Sequence, residues 1–344
     1  MRNILIIGCG LLGSSLVRRI SKKKIAKKIF IYEKSKSNIA KIKSLRLPGT
    51  IVKSLKDGLV NSNLVIVCTS TSEYKKLILK INKTISPKTL ITDVGSSKIE
   101  SSKIIKKFLK RGVNWIRSHP IAGSEVSGPE FGKADMFEDK WCVLIKDKKT
   151  SSKNLKFLIS FWKKMGSKTV IMNSEKHDKV FSITSHLPHL IAYNLVKSAQ
   201  DFEKILKFGL IKYSAGGLRD FSRIAASNEI MWRDIFFDNK VNVTKAIDLF
   251  IKNLKSFKKD INSKNNNFDL EVNNEGLINF PSKLCNTSFQ GCHIIRKNSL
   301  HPYPEIFNIQ DFWKDCSLNE KIYGYETTKI NAHVGTKDEY LKYK

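Results

Sequence analysis

Apolar residues in the first half of the chain come in short unbroken runs, each closed by a small or polar residue. "NILIIG", "KIFIYE", "LVIVCT", "TLITDV", "VNWIRSHP" and "WCVLI" are such runs, and they favour the β-branched and aromatic types that suit a pleated sheet. Because polarity does not alternate within them, both faces of each strand should be buried. Between the runs lie segments with apolar residues at three- and four-residue spacing and lysines elsewhere, the pattern of amphipathic helices. This alternation, from residue 3 to about 145, predicts a parallel sheet with helices on both faces, and "SKTVIM" adds a further strand. Near Asn173 the texture becomes helical and stays so to about Ile261, with a loop expected at Gly216-Gly217. The polar, Asn-rich "NSKNNNFDLEVNNEG" (262–276) then reads as a joint, followed to Lys344 by a tail without a clear period.

The first strand runs directly into "GCGLLG", and a helix follows. In such a loop Gly8 permits a tight turn, Gly10 lets the backbone approach a pyrophosphate, and Gly13 allows close packing of helix on strand. Leu11 and Leu12 lie between the glycines, where free helix-start N–H groups face an anion. Glu33, twenty residues beyond Gly13 at the end of "KIFIYE", is placed to accept hydrogen bonds from a ribose diol. That acid favours NAD, although Lys34 and Ser35 beside it keep NADP open.

Two more strand ends should face the nicotinamide region, since ligands of open parallel sheets bind beyond the carboxyl ends of the strands. One ends at Cys68-Thr69-Ser70, the other at Asp93 with Gly95, Ser96, Ser97 and Lys98 behind it. Ser97 and Glu100 match a helix capping box, which leaves Ser96 as the candidate to touch substrate. "RSHPIAGSEVSG" (117–128) has no lysine and carries the single histidine His119. "SITSHLPHL" and "GGLRDFSRIAASNEIMWRDIF" supply Ser185, His186, His189, Arg223 and Trp232. The apolar flanks of Arg223 suggest that it leaves water and seeks a carboxylate, which a guanidinium can grip through two parallel bonds.

Composition narrows the function classes. The chain has 344 residues, 62 Lys and Arg against 31 Asp and Glu, and a formal charge of +31. The bases are scattered and lack the interleaved aromatics of a stacking platform, so a solvated surface is expected and no nucleic-acid partner. The six cysteines form no CxxC pair, and His186 with His189 has no completing ligand set, so no metal is expected. Cys285, Cys292, His293, His301 and Cys316 are too irregularly spaced to change that expectation. The absence of a secretory pattern or a long apolar run points to a cytoplasmic chain without membrane contact.

The glycine loop, "DVGSSK", "HPIAGSEVSGP", "SHLPH" and "DFSRIAASNEIMWRDIF" occur in the order and spacing that resemble prephenate and arogenate dehydrogenases, oxidoreductases of tyrosine biosynthesis, over about residues 1–260. The resemblance implies a dinucleotide-binding domain (1–172), a helical substrate and dimerisation domain (173–261) and a tail (262–344) of no assigned role. It also implies a homodimer, NAD as cofactor, and prephenate or arogenate as substrate. On that reading His119 takes the proton of the ring hydroxyl and Ser96 shares that hydroxyl. Arg223 holds a substrate carboxylate, Ser185, His189 and Trp232 line the pocket, and Ser124 and Glu125 flank the histidine. Gly8, Gly10, Leu11, Leu12, Gly13, Glu33, Thr69 and Ser70 would hold the dinucleotide. The alternatives are another two-domain NAD(P)-dependent dehydrogenase of a small hydroxy acid, or a basic NAD-binding regulator without turnover.

Overall fold

The structure, a computed structural model, describes residues 2–262 except 208 and 210, together with the short pair 271–272 and 278–279. The metal candidates Cys285, Cys292, His293, His301 and Cys316 lie outside the described residues, as does most of the segment 262–344. Two compact units divide the chain, residues 1–247 and 248–344.

The first unit opens with β1 (Arg2–Ile7), α1 (Leu11–Lys22), β2 (Ala26–Tyr32), α2 (Lys36–Ser44), β3 (Thr50–Ile51), α3 (Leu55–Val60), β4 (Leu64–Val67), α4 (Tyr74–Ile81), β5 (Leu90–Asp93), α5 (Ile99–Phe108) and β6 (Asn114–Trp115). The six strands form one parallel sheet in the order β3-β2-β1-β4-β5-β6. This is the doubly wound arrangement that the apolar runs imply. Ile4 and Ile6 of β1 enter one core cluster with Leu16, Val17 and Trp162, while Leu5 and Ile7 enter another with Leu77 and Ile78. Each such side chain, nearly free of solvent, contributes about 1.5–3 kcal/mol of burial. A polar residue on either face of β1 would therefore break one of the two layers.

The run "VNWIRSHP" is not one strand. β6 ends at Trp115, and β7 (Ser118–Pro120) belongs to a second sheet with β8 (Trp141–Ile145) and β9 (Lys168–Met172). Within it β7–β8 is antiparallel and β8–β9 parallel, with α6 (Ser152–Lys164) between the last two strands. Arg117 makes the crossing possible. It is buried, yet donates to the Lys98 carbonyl at 3.1 Å and Ser174 Oγ at 2.9 Å, and pairs with Asp147 at 2.6 Å.

From Ser174 the chain is helical: α7 (Ser174–Phe181), α8 (Leu187–Leu206), α9 (Gly216–Ala225), α10 (Glu229–Asp238) and α11 (Lys240–Asn262). Between α7 and α8 the rod widens into a π turn over Ser182–His186. Pro188, one residue into α8, has no N–H to offer the Thr184 carbonyl, which removes an α-helical bond at that point. Gly216-Gly217 is not a loop but the first turn of α9; the break falls just before it. In the second unit Glu271–Val272 pairs antiparallel with Ile278–Asn279. No helix of the described residues is long and apolar enough to cross a membrane.

Candidate functional site

A cleft of about 1360 Å³ runs from the carboxyl ends of β1 and β4 to the helices α9 and α10. At one end lies the glycine loop. Gly8 has φ +87, and a Cβ on Gly13 would stand 2.1 Å from the Gly8 carbonyl oxygen, so helix and strand meet there only through glycines. A Cβ on Gly10 would meet nothing within 4 Å. Gly10, Leu11, Leu12, Thr69 and Ser70 line the cleft, and Thr69 Oγ1 is buried without a hydrogen-bond partner. The Glu33 carboxylate is fixed by three backbone donors, from Cys9 at 2.8 Å, Lys34 at 2.7 Å and Ser35 at 2.9 Å. Open space at Gly10, an unpartnered hydroxyl and an oriented carboxylate together fit a dinucleotide.

At the other end the cleft is lined by Ser96, His119, Ser124, Glu125, Ser185, His189, Arg223 and Trp232. The fold thus brings together residues spread over more than a hundred positions. The His189 ring stacks on Trp232 with centroids 3.6 Å apart, and its Nδ1 lies 2.9 Å from the Ser185 carbonyl, across the turn that Pro188 opens. Arg223 does not leave water: its side chain is 57% exposed, with Glu125 Oε2 3.7 Å from its Nη1. The apolar flanks of α9 misled because Arg223 stands over an open cleft.

Behind His119 lies a chain of groups that the sequence reading passed over. His119 Nδ1 is 2.8 Å from His177 Nε2, and His177 Nδ1 is 2.7 Å from Asp178 Oδ1. Asp178 also accepts the backbone N–H groups of Lys98 and Ile99, both at 2.8 Å, at the start of α5. An acceptor so engaged requires a proton on His177 Nδ1. His177 Nε2 must then accept, so His119 donates from Nδ1 and its Nε2 carries the lone pair. Burial holds His119 well below the ordinary histidine range, with His177, Lys98 and His186 adding to the shift. Burial lowers His177 as well, followed by Lys98. The His119 imidazole is neutral near pH 7.

A cation does lie close to His119, despite the lysine-free stretch around it. Lys98 is fully buried, and its Nζ donates to Asp93 Oδ2 at 2.6 Å and to the Ser118 carbonyl at 2.7 Å. That charge comes from the end of β5 and not from the stretch around His119. Ser97 is no capping residue either. The first N–H groups of α5 go to Asp178, and Ser97 Oγ instead donates to Asp238 at 2.8 Å, which Thr71 Oγ1 also reaches. These bonds tie α10 to the sheet edge.

Residues 16–171 match the nucleotide-binding domain of prephenate dehydrogenase, and residues 173–272 match the dimerisation domain of prephenate dehydrogenase. A cyclohexadienyl dehydrogenase of Zymomonas mobilis is 31% identical over 78% of this chain and 92% of its own length. A prephenate dehydrogenase of Bacillus subtilis is 31% identical over 73% of this chain and 68% of its own. Among solved structures, the A. aeolicus prephenate dehydrogenase in complex with hydroxyphenyl propionate and NAD+ is 33% identical. It covers 77% of this chain and 92% of its own, with a TM-score of 0.71.

Proposed function

Since the chain belongs to the prephenate dehydrogenase family, we propose that it oxidises and decarboxylates prephenate, or arogenate, using NAD, in tyrosine biosynthesis. The observation that carries this reading is the chain Asp178–His177–His119, which leaves one basic ring nitrogen for the cleft beside a dinucleotide loop.

Gly8, Gly10 and Gly13, with Leu11, Leu12, Thr69, Ser70 and Glu33, would hold the cofactor, which supplies the hydride acceptor. His119 Nε2 accepts the proton of the ring hydroxyl as the C4–H bond gives up its hydride, and Ser96 holds the same hydroxyl. When the ring carboxylate leaves as CO2, the bonding pair enters the ring, which becomes aromatic, and the phenolate oxygen takes the proton back from His119. His177 and Asp178 hold the imidazole in the accepting tautomer without touching substrate. Arg223, itself exposed, exchanges its half-buried partner Glu125 for a substrate carboxylate. Ser185, His189 and Trp232 form the pocket wall, and Ser124 flanks the catalytic turn.

The same reading makes the active form a homodimer in the cytoplasm. An apolar surface on the helical half, including exposed Phe202, Ile205 and Leu206 on α8, supports the first part. The buried, unpaired thiols Cys9 and Cys142 fit a reducing compartment. The test is to mix the protein with NAD and either prephenate or arogenate and to follow reduced cofactor by absorbance. Reduction with one or both is expected, and none with either removes the proposal.

A further inference from the structure

A chain of formal charge +31 should, on charge alone, prefer the dinucleotide that carries an extra 2′-phosphate. Lys34 and Ser35, immediately after the ribose acid Glu33, reinforce that expectation, and Lys41 on α2 lines the cleft. Yet both lysines are already engaged. Lys34 Nζ lies 3.3 Å from Glu73 Oε2, at the start of α4. Lys41 Nζ pairs with Glu130 Oε1, on the short helical turn Pro129–Phe131. Ser35 caps α2, its hydroxyl accepting the Asn38 N–H at 3.2 Å.

The two acids come from different segments, so each pairing is set by the fold rather than by sequence neighbours. Glu130 is placed by bonds from its own segment to α1: Arg18 donates to the Pro129 carbonyl at 3.0 Å, and the Lys133 N–H reaches Ser15 Oγ at 3.0 Å. Glu73 sits one turn beyond Thr69 and Ser70 and also has Lys76 3.8 Å from its other oxygen. Pairs that stay partly open to solvent add little to stability, so a stability role does not explain them. A lysine beside a carboxylate presents a dipole to an arriving phosphate, whereas a lone lysine presents a full charge.

We propose that Glu73 and Glu130 are specificity-determining residues: by holding Lys34 and Lys41 in ion pairs they leave Glu33 unopposed at the ribose and select NAD over NADP. The proposal rests on the dinucleotide reading of the glycine loop but not on the identity of the substrate. Selection then works by withholding cations from the wrong ligand as much as by contacting the right one.

The test is to measure NAD and NADP affinity by calorimetric titration of the full chain, without substrate. The proteins are wild type, Glu73→Gln, Glu130→Gln, the double variant, and the double variant with Lys34→Met and Lys41→Met. Both glutamates are half-buried, so the glutamines are chosen to keep their shape, and equal melting temperatures verify the fold. Each single change should tighten NADP binding by about three- to tenfold, less so at high salt, and alter NAD binding by less than about twofold. Removing both lysines should abolish the gain. NADP affinity unmoved in the double variant overturns the proposal, as does a gain that survives loss of the lysines. Wild type that binds NAD and NADP equally overturns it alone, whereas wild type that binds neither removes the dinucleotide reading with it.

Discussion

Replacing His177 by phenylalanine tests the tautomer argument directly. The ring volume is kept, and so is the packing against Phe181, whose centroid lies 4.5 Å from that of His177. Asp178 keeps its two backbone donors at 2.8 Å. What is lost is the acceptor 2.8 Å from His119 Nδ1. His119 is buried, so an N–H left at Nδ1 would have no partner, which costs about 1–3 kcal/mol. The imidazole avoids that cost by moving its proton to Nε2, where it can no longer accept one from substrate. A penalty of that size lowers the competent tautomer, and with it kcat, by roughly 5- to 150-fold. Glutamine at the same position can place its side-chain oxygen near the vacated Nε2 and should recover part of the loss. The assay is steady-state reduction of NAD at saturating prephenate, with NAD affinity measured separately and expected to be unchanged. Turnover within about twofold of wild type in the phenylalanine variant refutes the reasoning, as does an equal loss in both variants.

Two glycines of one loop should behave in opposite ways. Gly13→Ala places a Cβ 2.1 Å from the Gly8 oxygen, so a melt should show a marked loss of stability together with cofactor binding. Gly10→Ala meets no protein atom within 4 Å; it should melt within a few degrees of wild type, yet bind NAD about tenfold or more weakly. Acid should destabilise the fold through three buried histidines. Burial lowers the folded-state values of His119 and His177, and takes His186 down to about 4. The unfolded chain therefore gains protons first as pH falls below about 6.5. Stability is complete above that pH and declines below it, by about 1.4 kcal/mol per histidine at pH 5.5. Denaturant titrations at pH 7.5 and 5.5 should show the decline, and His119→Asn should reduce it by about one histidine's share.

What the sequence disclosed was what local spacing encodes. The glycine loop with Glu33, and the apolar runs that became β1, β2, β4, β5 and β8, depend on neighbours along the chain. So does the histidine set apart in "RSHPIAG". His177 and Asp178 escaped because "SEKHDKV" has the composition of a solvated helix start; their burial arises only when α7 meets the start of α5. Lys98 was one base among 62, and nothing beside it marks it as fully enclosed. Ser97 obeyed a local rule that Asp238, 141 positions away, overrode. The split of "VNWIRSHP" turned on Arg117, whose three partners come from distant segments. The adjacent His-Asp pair was the one overlooked signal within reach, since a carboxylate beside an imidazole favours a fixed tautomer.

The π turn at Ser182–His186 has a consequence for chain length. Geometrically it is one residue more than an α-helix needs. Deleting a single codon there would let the rod close into ordinary helix with its two ends still in phase, whereas deleting one from the ordinary helix on either side would rotate everything beyond it by about 100°. His177 and Asp178 lie before the turn, His189 after it. The wall of the cleft and the support of His119 are thus joined through a turn that can give up one residue without changing their phase. Within these few residues, unlike the helices on either side, the loss of one residue should leave the two ends of the rod facing as they do.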